Sequence, residues 1–127
     1  MNITGLGRAS IFVRNLQASE RFYATVLRMP IVARGECGAR VQFRVGRSNQ
    51  LELQAAATNE TNGPSRAGNA QHIAFVVGNN PRTLEDARRH LAENGIAFEQ
   101  VTHEEYESLY LRDPDEHLVE LYYWPEW

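Results

Sequence analysis

The order of elements that the sequence predicts occurs twice along the chain, and this repeat constrains the fold more than any other feature. Each half is predicted to form a strand, a helix and then three strands, from apolar alternation and from the turn residues between the runs. The corresponding segments are 8–13 and 72–77, the helices near 16–28 and 81–94, and the last strands, 50–55 and 118–123. A half of about 60 residues is marginally stable alone, so we expect an internal duplication whose two halves pack together.

Both predicted helices have start and stop signals. Asn15 can cap the first helix, and Pro30 ends it because the residue before a proline disfavours helical geometry. Asn80 followed by Pro81 begins the second helix, and Gly95 ends it. The remaining predicted strands are 31–34, 39–45, 96–101 and 108–112. The sequence therefore predicts the α+β class, with two modules that share one order of elements.

The periodicity stops between residues 56 and 71, where the sequence is small, polar and interrupted by glycine and proline. We interpret this stretch as the connection between module one, 1–57, and module two, 71–127, with the linker at 58–70. The linker is either a plain connector or a functional lid, and the sequence does not decide between the two.

Composition and charge argue against several classes of partner. The chain has 127 residues, with 13 basic and 16 acidic side chains and a net charge of −3, which favours neither nucleic acid nor an anionic membrane. No apolar run is long enough to cross a bilayer, and the N-terminus has no signal-peptide pattern. The single cysteine, Cys37, cannot form an internal disulfide, so we expect a cytoplasmic protein.

The stretch 108–123 predicts a β-hairpin, with Asp113 and Pro114 in its turn. Glu120 lies inside the apolar second strand of this hairpin. A carboxylate in a covered strand should be paired, neutral or bound to a metal. The alternative is that Glu120 lies at a sheet edge with its carboxylate in water.

The repeat makes four polar positions equivalent in pairs: Arg8 with His72, and Glu52 with Glu120. The first pair begins the first strand of each half, and the second pair lies midway along the last strand. If each half curls its sheet, these four side chains can converge. His72 and Glu120 would then be a metal-binding pair, with Glu52 as a third oxygen donor.

Three motifs resemble those of a known superfamily: FYATVL, QHIAFVV and YLRDPDEHLVELY. With the two-module order, they make the chain similar to the vicinal oxygen chelate superfamily, which includes glyoxalase I, extradiol dioxygenases and bleomycin-resistance proteins. The resemblance implies a glyoxalase-like fold, in which two βαβββ modules form curved mixed sheets around a central cup that holds a divalent metal and a small-molecule ligand. It also implies a homodimer. It places the metal-ligand positions of the family at Arg8, Glu52, His72 and Glu120.

Within the superfamily, the C-terminal stretch is most similar to extradiol dioxygenases. The residues that match their signature are His103, Leu109, Tyr110, Asp113, Pro114 and Glu120. The resemblance implies that His103 is an acid–base catalyst and that Tyr110 hydrogen-bonds to a substrate oxygen. From the residues alone, His103 is just as well a surface side chain and Tyr110 an ordinary sheet tyrosine. Glu116 departs from the signature, in which glycine or proline is usual.

Arg8 is the main departure, because extradiol dioxygenases hold iron(II) with two histidines and one carboxylate, and the first histidine belongs at this position. Arginine stays protonated and has no lone pair for a metal. One hypothesis is a metal-dependent, extradiol dioxygenase-like oxidoreductase that uses iron(II) or manganese(II) on a catechol-like aromatic. A second is a metal-free binding protein of the bleomycin-resistance type, in which Arg8 contacts the ligand. A third is a glyoxalase-type lyase or isomerase.

Overall fold

A computed structural model describes residues 1–35, 37–56 and 72–127 of the chain. The predicted linker, 58–70, lies outside these residues. The chain forms two compact units, Met1–Gly63 and Pro64–Trp127, and each has its own sheet and its own helical segment. The predicted module limits at 57 and 71 stay a prediction.

Unit one contains a four-stranded mixed sheet. In chain order its elements are β1 (Arg8–Val13), α1 (Leu16–Arg21), a π-helical turn (Phe22–Val26), β2 (Ile31–Arg34), β3 (Arg40–Val45) and β4 (Asn49–Ala55). The strands lie in the order β1-β4-β3-β2. β1 pairs with β4 in parallel, and the other pairs are antiparallel.

The first helix differs from the single helix predicted over 16–28. Asn15 caps α1, its side chain accepting a backbone N–H three residues later at 3.0 Å. The helix then widens into the π-turn, in which the N–H of Leu27 donates to the carbonyl of Phe22. Phe22 and Tyr23 are consecutive, yet both are buried. Helical periodicity alone does not predict this widening, because it does not predict that two adjacent rings are both buried.

The two faces of sheet one differ in polarity because successive side chains of a strand alternate between faces. The apolar face supplies the core of unit one and carries Ile11, Val13, Val41, Phe43, Leu51 and Leu53. The opposite face, here called the polar face of sheet one, carries Arg8, Ser10, Arg40, Gln42, Arg44, Gln50, Glu52 and Gln54. Any chemistry that unit one performs through its sheet is therefore confined to the polar face.

Unit two repeats this arrangement. Its elements are β5 (His72–Gly78), α2 (Pro81–Glu93), β6 (Phe98–Thr102), β7 (Glu107–Arg112) and β8 (Leu118–Tyr123). The strands lie in the order β5-β8-β7-β6, with β5 and β8 parallel. Leu84 and Leu91 of α2 are buried, as are Leu109, Leu111, Val119 and Leu121 of the sheet. The opposite face of sheet two carries Ser108, Tyr110, Glu120 and Tyr122.

β7 and β8 form the predicted antiparallel hairpin, in which Tyr110 faces Glu120 directly. β8 lies between β5 and β7, so the alternative that placed Glu120 at a sheet edge is wrong. In the turn, Asp113 Oδ1 accepts the backbone N–H groups of Asp115 and His117, each at 2.9 Å. These side-chain-to-backbone hydrogen bonds stabilise the turn and compensate for the burial of the Asp113 carboxylate.

The fold class predicted from the sequence is confirmed: the protein is α+β, with two βαβββ units that each contain a four-stranded mixed sheet. Whether the two polar faces share a central cup concerns the placement of the units and stays a prediction. In the described part of the chain, none of the helices combines the length and the apolar character that a membrane span needs.

Candidate functional site

The structure brings His72 and Glu120 together on the polar face of sheet two. His72 begins β5 and Glu120 is near the centre of β8, so the parallel pairing sets them side by side. His72 Nε2 lies 2.8 Å from Glu120 Oε2. Ser108 of β7 donates its hydroxyl to Glu120 Oε1 at 2.5 Å. Glu120 is only 4% exposed, and these contacts compensate for burying its carboxylate.

His103 and Tyr110 lie beside this pair. The Tyr110 hydroxyl is 3.3 Å from His103 Nε2, and the rings of Tyr110 and His72 are 6.0 Å apart between centroids. Burial raises the pKa of the Tyr110 phenol above its usual value, and the charge of Glu120 and a hydrogen bond to it act in the same direction. Tyr110 therefore keeps its proton at neutral pH and can act as a hydrogen-bond donor.

Aromatic side chains that the sequence analysis did not single out border this site. His103 stacks on Tyr106 with ring centroids 4.4 Å apart. The centroid of the Tyr106 ring lies 5.7 Å from that of Tyr122 and 6.4 Å from that of Trp124. Burial raises the pKa of Tyr106, with a further contribution from the charge of Glu120. Strand alternation was the available signal, because Tyr122 is two residues after Glu120 and so shares its face.

Glu52 is the centre of a second polar network, on the polar face of sheet one. Its Oε1 accepts hydrogen bonds from the hydroxyl of Ser10 at 3.1 Å and from the amide of Gln54 at 2.6 Å. Its Oε2 accepts from the amide of Gln42 at 2.7 Å and lies 3.5 Å from Arg8 Nη1. Glu52 is 2% exposed, so the network surrounds a buried charge.

This network keeps Glu52 ionised. The hydrogen bond from Gln42 is the largest cause that lowers the pKa of Glu52; those from Gln54 and Ser10 and the charge of Arg8 add to it, against the opposing effect of burial. The Arg8 side chain is 48% exposed and also donates through Nε to the side-chain oxygen of Gln50 at 3.3 Å. Arg8 thus neutralises Glu52 from the rim of the network.

The predicted site residues fall into two groups, one in each unit. Arg8 and Glu52 are together in unit one, and His72, His103, Tyr110 and Glu120 are together in unit two. Convergence of the two groups on one centre stays a prediction.

The predicted ligand set does not fit a divalent metal. His72 and Glu120 have suitable donor atoms, but Arg8 cannot coordinate, and Glu52 already accepts three hydrogen bonds and pairs with the Arg8 cation. Among residues 1–35, 37–56 and 72–127, no three histidine, cysteine, aspartate or glutamate side chains are grouped so that they could hold a metal ion.

Two βαβββ units of equivalent strand order, each with a buried glutamate on one sheet face, define a class of small two-module proteins. The chain belongs to the Glyoxalase/Bleomycin resistance protein/Dioxygenase superfamily, whose family model matches residues 5–121. The resemblance to this superfamily is thereby confirmed.

Solved structures agree with this assignment at the level of the fold. A lactoylglutathione lyase from Agrobacterium tumefaciens is 20% identical, with 99% of this chain and 98% of that chain covered and a TM-score of 0.76. A glyoxalase/dioxygenase from Nostoc punctiforme is 23% identical, with 98% and 93% covered and a TM-score of 0.81. No curated protein matches the sequence.

Proposed function

We propose that this protein binds a small molecule without a divalent metal on Glu52, and that the Arg8–Glu52 ion pair takes the place of metal ligands in unit one. The observation that carries this proposal is the network around Glu52, whose carboxylate accepts three hydrogen bonds and forms an ion pair with Arg8. An ionised carboxylate offers about four acceptor positions, so three are taken by hydrogen bonds, and Arg8 lies beside the oxygen that accepts only one of them.

Electrostatics support the same proposal. Arg8 Nη1 lies 3.5 Å from Glu52, so a metal on Glu52 would lie close to a permanent positive charge. At about 4 Å and an effective dielectric constant of about 20, a guanidinium repels a dication by roughly 8 kcal/mol. A metal on Glu52 would therefore require Arg8 to leave the carboxylate.

Metal analysis of the purified protein and of the Arg8→His variant tests this proposal. The wild type should contain no stoichiometric divalent metal after dialysis, because Arg8 already neutralises Glu52. Arg8→His removes the cation and adds an imidazole, so it should bind iron(II) or manganese(II) measurably in a calorimetric titration. Arg47→His, at an exposed turn position, adds a histidine elsewhere and should bind no additional metal. One tightly held metal per wild-type chain would contradict the proposal.

A second candidate function is enzymatic, with His103 as acid–base catalyst and Tyr110 as hydrogen-bond donor in an extradiol dioxygenase or in a glyoxalase-type lyase or isomerase. The 3.3 Å contact between His103 Nε2 and the Tyr110 hydroxyl favours it, because it places an imidazole, the usual acid–base group of enzymes, beside a phenol that stays protonated and can donate a hydrogen bond. His103 would be the base toward the ligand, and Tyr110 would donate to a ligand oxygen.

Two assays separate these enzymatic alternatives. The protein is loaded anaerobically with iron(II) or manganese(II) and then given a catechol and oxygen, or a hemithioacetal without oxygen. Ring-opened product with oxygen uptake identifies a dioxygenase, and isomerisation without oxygen uptake identifies a glyoxalase-type enzyme. A true acid–base role also requires that His103→Gln lower the rate and shift its pH profile. If neither substrate reacts, both the dioxygenase and the glyoxalase-type activity are excluded.

We also propose that the protein is a cytoplasmic homodimer. The cytoplasmic location is supported by the single, exposed Cys37, since one cysteine cannot form an internal disulfide. The homodimer is supported by the family, whose members often pair, and by exposed apolar side chains on β2.

A further inference from the structure

Unit one contains a cavity of about 590 Å³ next to the Glu52 network. Its polar lining consists of Arg34, Cys37, Arg40, Gln42 and Gln54. Cavities of roughly 300–1,000 Å³ are the usual size of small-molecule sites. The cavity therefore has room for a small organic ligand, and its lining decides which chemistry that ligand has.

The two arginines of the cavity differ in how their charges are balanced. Arg34 donates from both terminal nitrogens to the two carboxylate oxygens of Glu20, at 2.8 and 2.5 Å, so its charge is matched. Arg40 forms no ion pair with an acidic side chain in the described part of the chain, and it is exposed. A guanidinium with free donors is well shaped to hold a carboxylate through two parallel hydrogen bonds. Arg40 is thus the cation available to an anionic ligand.

Glu52 fixes the orientation of both cavity glutamines. A carboxylate only accepts hydrogen bonds, and the pKa of Glu52 is lowered, so the Nε2 groups of Gln42 and Gln54 must face it. The carbonyl oxygens of the two amides therefore point away from Glu52. Neither of these two carbonyl oxygens accepts a hydrogen bond from another described residue. They are acceptors that a ligand donor can use.

We propose that this cavity binds a small organic acid that also carries an O–H or N–H donor. Arg40 holds the carboxylate, and Gln42 and Gln54 accept from the donor. Arg40 faces Gln54 directly across the β3–β4 pair, and Gln42 follows two residues later on the same face, so the three groups are neighbours. The proposal rests on the proposed function, since it names the ligand class of a metal-free binding site and makes Glu52 a positioning residue.

Calorimetric titration with three matched probes tests the proposal on the full-length protein. The probes are 4-hydroxybenzoate, which has an acid and a donor, benzoate, which has only the acid, and 4-hydroxybenzamide, which has no charge. Wild type should bind 4-hydroxybenzoate most tightly. Arg40→Gln should lower the affinity for both acids at least tenfold and change the affinity for 4-hydroxybenzamide less than twofold. Gln54→Leu should reduce the preference for 4-hydroxybenzoate over benzoate at least threefold.

Arg44→Gln is the matched control. It removes the same charge from the same strand and the same sheet face, but Arg44 is outside the cavity lining, so all three affinities should stay within twofold. Cys37 locates the ligand independently, because this exposed cysteine lines the cavity and 4-hydroxybenzoate should slow its alkylation by iodoacetamide. Equal effects of Arg40→Gln and Arg44→Gln would overturn the proposal, as would failure of both acids to bind at millimolar concentration.

Failure of this inference can be distinguished from failure of the proposed function. If the metal-free protein binds 4-hydroxybenzamide but neither acid, metal-free binding stands and the ligand class is wrong. If either acid binds only after a divalent metal is added, and chelation with EDTA abolishes binding, the proposed function fails. Binding of both acids in EDTA, with the expected Arg40 dependence, supports both.

Discussion

At the scale of single residues, Glu52 and Glu120 occupy equivalent positions in the two units but have different partners. Each is buried and faces a polar side chain across the hairpin, Gln42 for Glu52 and Tyr110 for Glu120. Glu52 is neutralised by a permanent cation, whereas Glu120 contacts an imidazole. The equivalent position therefore provides an ion pair with an arginine in unit one and a carboxylate–imidazole contact in unit two.

Glu52 should make stability depend on pH. Its pKa is lowered in the folded state, so between the folded and unfolded pKa values the unfolded chain binds more protons. This stabilisation is present above the unfolded pKa of about 4.5 and is lost as pH falls through the folded value. Glu52→Gln should destabilise the protein by about 1–3 kcal/mol at pH 7, because it leaves a buried donor unpaired and removes the charge that Arg8 neutralises.

Urea unfolding of wild type and Glu52→Gln across the acidic range measures this effect. The difference in unfolding free energy between the two should shrink steadily as the pH falls below about 5. Glu104→Gln changes an exposed carboxylate in the other unit and serves as the control, with no expected change in the profile. A difference that is constant across the acidic range would contradict an ionised, hydrogen-bonded Glu52.

At the scale of elements, the turn between β7 and β8 holds one non-glycine residue in a strained backbone conformation. Glu116 has a φ of +67°, in the left-handed region that glycine adopts without strain. Backbone strain at an L-residue in this region destabilises the folded state by about 1–2 kcal/mol. Glycine avoids this strain, but its greater conformational freedom in the unfolded chain offsets part of the gain. Glu116→Gly should therefore stabilise the protein by up to about 1 kcal/mol.

Chemical denaturation at pH 7 is the measurement for this turn. The hydrogen bond from Arg112 goes to the backbone carbonyl of residue 116, so the substitution keeps it. Glu105→Gly is the matched control at an exposed position that is not among the non-glycine residues with positive φ, and it should give no stabilisation. A loss of stability in Glu116→Gly would show that the glutamate side chain contributes more than the backbone strain costs.

The sequence predicted the elements better than their details, for physical reasons. Strand alternation and turn residues were enough for the hairpin that sets Tyr110 opposite Glu120. The network around Glu52 could not be predicted, because glutamines are ordinary on a polar strand face. Whether the amides of Gln42 and Gln54 reach Glu52 depends on strand register and side-chain rotamers. The π-turn was not predicted, because helical periodicity does not indicate that the adjacent residues Phe22 and Tyr23 are both buried.

At the scale of the whole molecule, duplication yields two sheets, each with two edge strands, and β2 is the most exposed edge in sheet one. All four of its residues are exposed, including the apolar Ile31 and Val32 at 36% and 44%. An edge strand with free backbone groups and branched apolar side chains can pair with the same strand of a second chain. This geometry makes β2 the expected contact of the proposed homodimer.

Light scattering on the purified protein should give twice the monomer mass of 14.4 kDa. Val32→Lys adds a charge to the middle of β2, which opposes strand pairing, and should shift the mass towards that of the monomer at micromolar concentration. Ala92→Lys adds the same charge at an exposed position of α2 and should leave the dimer intact. A monomeric wild type would refute the homodimer itself. A dimer that Val32→Lys leaves unchanged would refute the β2 contact alone, because an interface elsewhere would not be affected by a charge on this edge.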